Sequence, residues 1–139
     1  MTVRRSAPCL FGRLLLPALL IAGCAQPDVP QLGQVTGIVT LNGEPLPHAR
    51  VCFTPDTGRP SVGLTGASGR YWLTYKANIA GAVTGHHTVA ISTENMIENR
   101  ASGQQMFVKE RVPERYNTKT ELEAHIVPGQ NEWNFALQK

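Results

Sequence analysis

The chain has 139 residues, 13 Lys and Arg against 10 Asp and Glu, and three cysteines, a length that fits one domain. Its formal charge of +3 is carried by Arg4, Arg5 and Arg13 near the front; without them 10 basic residues face 10 acidic ones. A domain with no net positive charge lacks the phosphate-neutralising surface on which nucleic-acid binding depends, so no nucleic-acid partner is expected.

The three arginines precede an apolar run, Leu14 to Ala22, that is too short to span a bilayer, which takes about 20 apolar residues. A positive start, a short apolar centre and small residues at its end are the build of a secretory signal. Ile21-Ala22-Gly23-Cys24 resembles the bacterial lipobox, an aliphatic residue and two small ones before a cysteine. The resemblance implies that the Cys24 thiol is diacylglycerylated, that the chain is cut after Gly23 and that the freed amine is acylated too. Residues 1–23 are then a lipoprotein signal peptide. The plainer alternative is an ordinary signal cut near Ala25, with Cys24 incidental. At about 0.8 kcal/mol per buried methylene one acyl chain holds weakly and two or more hold stably, so a triacylated Cys24 is a lasting membrane anchor. Ala25 is not the aspartate that retains lipoproteins in the inner membrane of some bacteria, which tilts the expected location toward the outer membrane, facing the periplasm or the exterior.

Cys9 leaves with the signal and Cys24 takes the lipid, so Cys52 remains alone and no disulfide framework is expected. Without a His or Asn at a nucleophile-like spacing it reads as an inert strand residue. Residues 24–34, with two prolines and a glycine from Ala25 on, read as a flexible tether.

The domain proper is expected over 35–139. Val35 to Leu41 is rich in β-branched residues and Asn42-Gly43 is a hairpin signal. Arg50 to Thr54 alternates, with Val51 and Phe53 on a core face and Cys52 outward or toward an edge. Ser61 to Gly66 is a short strand, Ala67 to Arg70 a tight turn, and Tyr71 to Tyr75 a strand with Tyr71, Leu73 and Tyr75 on one face. Trp72 and Thr74 therefore share the other face. A loop or the 95–115 segment is expected to cover Trp72; uncovered, it would be a possible ligand contact, stacking on a sugar ring or anchoring a protein.

Lys76 to Gly85 reads as a connection, and His87 to Thr93 as a strand with Val89 and Ile91 inward. From Glu94 to Tyr116 periodicity fails, which predicts a long excursion with one helical turn, packed over a sheet edge or mobile, and by its length the segment expected to hold binding determinants. Glu121 to Val127 and Glu132 to Leu137 are strands joined by a turn at Pro128 to Asn131, and alternation makes Trp133 a core residue. About seven short strands between turn signals predict an all-β, antiparallel sandwich.

GIVTLNGEPLPHARVCFTP, GASGRYWLTY and GHHTVAIST together resemble the carboxypeptidase regulatory-like domain, a transthyretin-like β-sandwich. Gly37, Val39, Asn42, Gly43, Pro45, Leu46, Ala49, Val51, Phe53, Thr65, Gly69 and Tyr71 match that pattern, while Gly66 stands where the family often has Asp. The ends VPERYNTKTEL and VPGQNEWNFAL are similar to those of small bacterial lipoproteins carrying this domain. The resemblance covers Val35 to the C-terminus and implies a module for folding, adhesion or ligand contact, with no chemistry of its own.

The enzyme alternative rests on histidines. His86 and His87 are adjacent in a strand and so point to opposite faces, His48 and His125 stand alone, and no CxxC or HExxH spacing exists, so neither a metal site nor a cofactor is expected. Ureide hydrolases of the transthyretin-like superfamily end in a Tyr-Arg-Gly-Ser type motif, whereas this chain ends Phe135-Ala136-Leu137-Gln138-Lys139. Intradiol dioxygenases, on a related sandwich, hold iron with two Tyr and two His, but alternation places Tyr71 and Tyr75 in the core. The expected function is thus a lipid-anchored cell-envelope protein whose non-catalytic sandwich binds a protein or a polysaccharide; the alternative is a metal-dependent or hydrolytic enzyme of the same superfamily. Edge strands leave sheet pairing with a second copy open.

Overall fold

A computed structural model describes residues 29–139; the signal segment, Gly23, Cys24 and the first part of the tether lie outside the described residues. Strand β1, Leu32–Leu41, organises the rest. It buries Val35, Gly37 and Val39 on one side and turns Gln34 and Thr36 outward, the period-two pattern of a strand with one wet face. It begins inside the stretch expected as tether, because Leu32 and Gly33 already pair with the later strand at Val83 and Ala82.

The turn at Asn42 and Gly43 has φ of 52° and 82°, the two positive values that an Asn-Gly hairpin turn requires, and returns the chain as β2, Glu44–Pro45. Then come β3, Arg50–Pro55, and β4, Ser61–Leu64; β5, Arg70–Trp72, and β6, Thr74–Lys76; and the two-residue strands β7, Ile79–Ala80, and β8, Ala82–Val83. The connection expected over 76–85 thus carries two short strands. Next are β9, Gly85–Ser92, then β10, Asn95–Glu98, and β11, Gln105–Val108. A single 3-10 turn, Glu114–Tyr116, precedes β12, Glu123–Ile126, β13, Gly129–Glu132, and β14, Phe135–Leu137.

The strands form two main sheets and a separate hairpin of β10 with β11. One sheet is the fully antiparallel series β12-β9-β3-β4-β6-β7. The other is built on β1, which pairs antiparallel with β2, β5 and β8 but parallel with β13 and β14. The core lies between them: Val51, Phe53, Val89 and Ile91 from one sheet meet Val39, Tyr71, Phe135 and Leu137 from the other, all at most 8% exposed. The ring of Phe53 meets Phe135 edge-on at 6.2 Å between centroids, joining the two layers.

The architecture is all-β and sandwich-like, as expected, with three corrections. Fourteen strands stand among the described residues where about seven were expected: the expected 71–75 strand is split at Leu73, and the short strands β2, β7 and β8, the β10–β11 hairpin and β13 were not expected. The fold is not purely antiparallel: after β12 the chain crosses to the other sheet and runs alongside β1 in the same direction, a non-local pairing that no turn signal announces. Finally, the expected turn at Pro128–Asn131 is largely strand. Asn131 is buried, and its side chain does what a turn hydrogen bond would do, accepting from Val127 N–H (3.0 Å) and donating to the Val127 and Gln34 carbonyls (2.8 and 3.0 Å). Between β13 and β14 the ladder is kept by Asn134, whose side-chain oxygen accepts the Ile38 N–H at 2.8 Å.

The excursion over 94–116 holds the expected helical turn but also the hairpin, in which Met96 faces Phe107 and Ile97 faces Met106. Met96, Met106 and Phe107 are exposed, so this hairpin has no apolar side buried against the core of the kind that a period-two search detects.

Candidate functional site

The site is built by the change of sheet at Leu73. Tyr71 and Leu73 are buried, so the residue between them must face outward, and Trp72 does, at 63% exposed. Trp72 pairs with Thr36 on β1, Leu73 N–H donates to Val35 (3.0 Å), and one residue later Thr74 pairs with Val62 of the second sheet. The indole therefore stands on the seam where the chain leaves one sheet for the other. Gly63 lets β4 come close there: a Cβ on it would lie 2.4 Å from the Trp72 carbonyl oxygen. Around the indole, Arg50, Val62, Gly63, Leu64, Trp72 and Thr74 line an open groove of about 340 Å³.

The expectation that a loop or the 95–115 segment covers Trp72 is corrected, since no residue of that segment lines the groove. Trp133, in contrast, is half-buried and packs on the core, and its carbonyl accepts the Tyr71 hydroxyl at 2.6 Å. Burial pushes the Tyr71 pKa up, which suits a phenol held as a neutral donor to the backbone. Tyr75 is half-buried under the Arg59 guanidinium, 5.6 Å from its ring centre. Cys52 faces outward as alternation requires, but on a strand paired on both sides rather than at an edge, with Sγ 3.8 Å from Thr54 Oγ1.

The histidines divide as expected across β9. His87 is buried, with Nε2 2.6 Å from the Val83 carbonyl and its ring 5.8 Å from that of Phe53. His86 points out, its Nδ1 3.0 Å from Asp56 and its Nε2 3.6 Å from Glu123; the hydrogen bond to Asp56 raises its pKa above the ordinary histidine value. His125 is not isolated, because β12 sets it directly across from His86. Sequence spacing cannot show this, as 39 positions separate the two. Among the described residues no three His, Cys, Asp or Glu side chains are arranged to hold a metal ion.

A second groove, about 500 Å³, is lined by Ser92, Glu94, Glu110, Val112, Glu114, Asn117 and Thr118. Its central carboxylate is already occupied. Glu110 accepts from the Ser92 hydroxyl, the Thr93 N–H (3.0 Å) and hydroxyl (2.9 Å), and the Val112 N–H (2.9 Å), so it clasps the 109–112 segment to the end of β9 and seats Val112 in the core. Burial works against its ionisation, but these donors outweigh it and lower the pKa from 4.5 to about 2. The sign follows: the clasp contributes its full stability above pH 4.5 and loses it as pH falls from there toward 2. Glu110→Gln is expected to cost about 1 kcal/mol at neutral pH, allowing for partial exposure to solvent. Urea unfolding should show that difference at pH 7 and show it shrinking by pH 3; equal loss at both would mean the charge is not what holds the clasp.

No family model and no curated protein matches the chain. Among solved structures it is similar to a DUF3823 family protein from Parabacteroides merdae, at 15% identity and a TM-score of 0.41 over 78% of this chain and 46% of that one. It is also similar to a 9R-lipoxygenase from Cyanothece, at 15% identity and a TM-score of 0.42 over 78% of this chain and 16% of that one. The chain thus spans less than half the length of either protein.

Proposed function

We propose that this chain is a cell-envelope lipoprotein, held to a membrane by lipid on Cys24, whose carboxypeptidase regulatory-like sandwich is a non-catalytic binding module. The observation that carries the binding role is the outward Trp72, set on the seam between sheets and lining a groove with one cation and one hydroxyl. A large indole left in water at a site where neighbouring residues are buried is the kind of anchor that dominates binding surfaces. The lipid anchor is supported by the order of basic residues, apolar run, small residues and Cys24 at the N-terminus. A domain carried on a tether would present the groove to envelope polymers or proteins.

The anchor is tested by Cys24→Ser in a producing bacterium. The parent should incorporate labelled palmitate and sediment with membranes; the variant should take up no label and sediment about tenfold less, consistent with loss of acyl chains whose binding grows with each buried methylene. Unlabelled parent protein, or a variant that stays with the membrane, would refute anchoring through Cys24. The binding role is tested by shielding of Trp72 from acrylamide in the presence of envelope extract.

A further inference from the structure

We propose that the Trp72 groove takes an acidic polysaccharide, with one sugar ring stacked on the indole and the carboxylate of a neighbouring ring against Arg50. This deepens the binding role above and rests on it. The register supplies the geometry. Arg50 of β3 lies directly across from Leu64 of β4, and Val62 of β4 across from Thr74 of β6. Trp72, two residues before Thr74, belongs to β5 of the other sheet, but its carbonyl comes up against Gly63 of β4, so it stands on the side of β4 away from β3 and Arg50. The backbones that carry Arg50 and Trp72 thus lie about 10 Å apart, two strand spacings, and both side chains line one groove, long enough for a chain of rings to touch both.

Charge selects the class. Arg50 is exposed, makes no ion pair among the described residues, and no carboxylate lines the groove with it. An unpaired guanidinium presents a planar fork of donors that matches a carboxylate in two parallel hydrogen bonds. Thr74 adds a hydroxyl suited to sugar hydroxyls, and Trp72 an apolar face suited to the C–H side of a ring.

The same strands argue against a peptide. A peptide that extends a sheet needs a free edge; beneath this groove β3 is paired on both sides, β4 is paired with β3 along its length and with β6 at Val62, and the Trp72 carbonyl closes on the β4 backbone at Gly63. Recognition here must come from side chains on the face of the sheet, which suits a stacking ring more than an added strand.

The test uses the full-length lipidated chain in detergent micelles, titrated with oligomannuronate, oligogalacturonate and oligoglucuronate, each beside its neutral counterpart of equal length. Binding is read from the indole N–H signal of Trp72, assigned by its absence in Trp72→Ala. The expected result is binding of at least one acidic oligomer, weakened about tenfold or more by Trp72→Ala and about tenfold by Arg50→Gln. It should also fall with salt, while the neutral counterpart binds far more weakly. Leu64→Glu, an exposed position that leaves both the indole and Arg50 in place, should weaken acidic oligomers selectively by repulsion. Equal binding of acidic and neutral oligomers, unaffected by Arg50→Gln, overturns the acidic class but keeps a glycan module. No response to any oligomer, with Trp72 shielded by envelope protein, overturns the glycan and keeps a binding module. No response to oligomers or extract overturns both readings.

Discussion

Gly37→Ala is expected to destabilise the full-length protein more than Phe53→Ala, Glu110→Gln or Gly43→Ala does. Gly37 sits mid-strand in β1, buried, between the two stretches where the chain end pairs alongside it. A Cβ there would lie 1.8 Å from the Trp133 carbonyl oxygen and 2.9 Å from the Tyr71 ring. Neither neighbour can yield cheaply. The Trp133 carbonyl holds the Tyr71 hydroxyl, and the Trp133 N–H is bound to Thr36, so moving that peptide unit breaks contacts on both sides of it. The parallel pairing of β1 with β13 and β14 would separate, exposing core from both layers. A loss of about 3 kcal/mol or more is expected, a large share of the 5–15 kcal/mol that ordinary domains possess. Gly43→Ala is the control: its φ of 82° strains any side chain, but nothing lies within 4 Å, so it should cost only about 1 kcal/mol. Urea unfolding followed by circular dichroism separates the two. A Gly37→Ala protein as stable as Gly43→Ala would mean the chain end does not press on β1 as described.

Phe53→Ala should be the next most damaging change. The side chain is fully buried on β3 and touches rings from both sides of the sandwich, Phe135 at 6.2 Å and His87 at 5.8 Å between centroids. Its removal leaves a cavity between stiff sheets that cannot close, for which about 3–5 kcal/mol is the usual cost. Leu64→Ala, on the neighbouring strand β4 but 52% exposed, should stay within about 0.5 kcal/mol. The measurement is the urea midpoint of each variant. The outcome matters for the groove as well, since Phe53 braces from within the strand that carries Arg50 outside. A Phe53→Ala protein that keeps its midpoint would mean that the two sheets are not joined through this side chain.

Much of this molecule was legible in advance where the signal is local. The alternation of Val51 and Phe53 with Cys52, the Asn42-Gly43 turn and the inward Val89 and Ile91 all follow from the period of a strand and the tolerance of Asn and Gly for positive φ. The same period put Trp72 on the outer face. It could not show that the face is open, because cover depends on where a segment more than 20 residues away comes to rest. The hairpin of β10 and β11 escaped for a related reason. Its exposed Met96, Met106 and Phe107 and half-buried Ile97 are apolar on both sides of the ribbon, so no single apolar face marks it as strand.

By itself, then, the amino-acid order determined the all-β class, the Asn42-Gly43 turn, the inward residues of β1, β3 and β9 and the direction in which Trp72 points, since these depend on neighbours one or two residues apart. Tertiary structure alone decided that the chain end runs parallel to β1, that Gly37 must lack a side chain, that His125 stands opposite His86 and that Arg50, Leu64 and Trp72 line one groove. Each of these joins residues far apart in the chain. Their meeting is set by which strands pair and in what register, a choice made by the burial of two whole sheets against each other rather than by any short stretch.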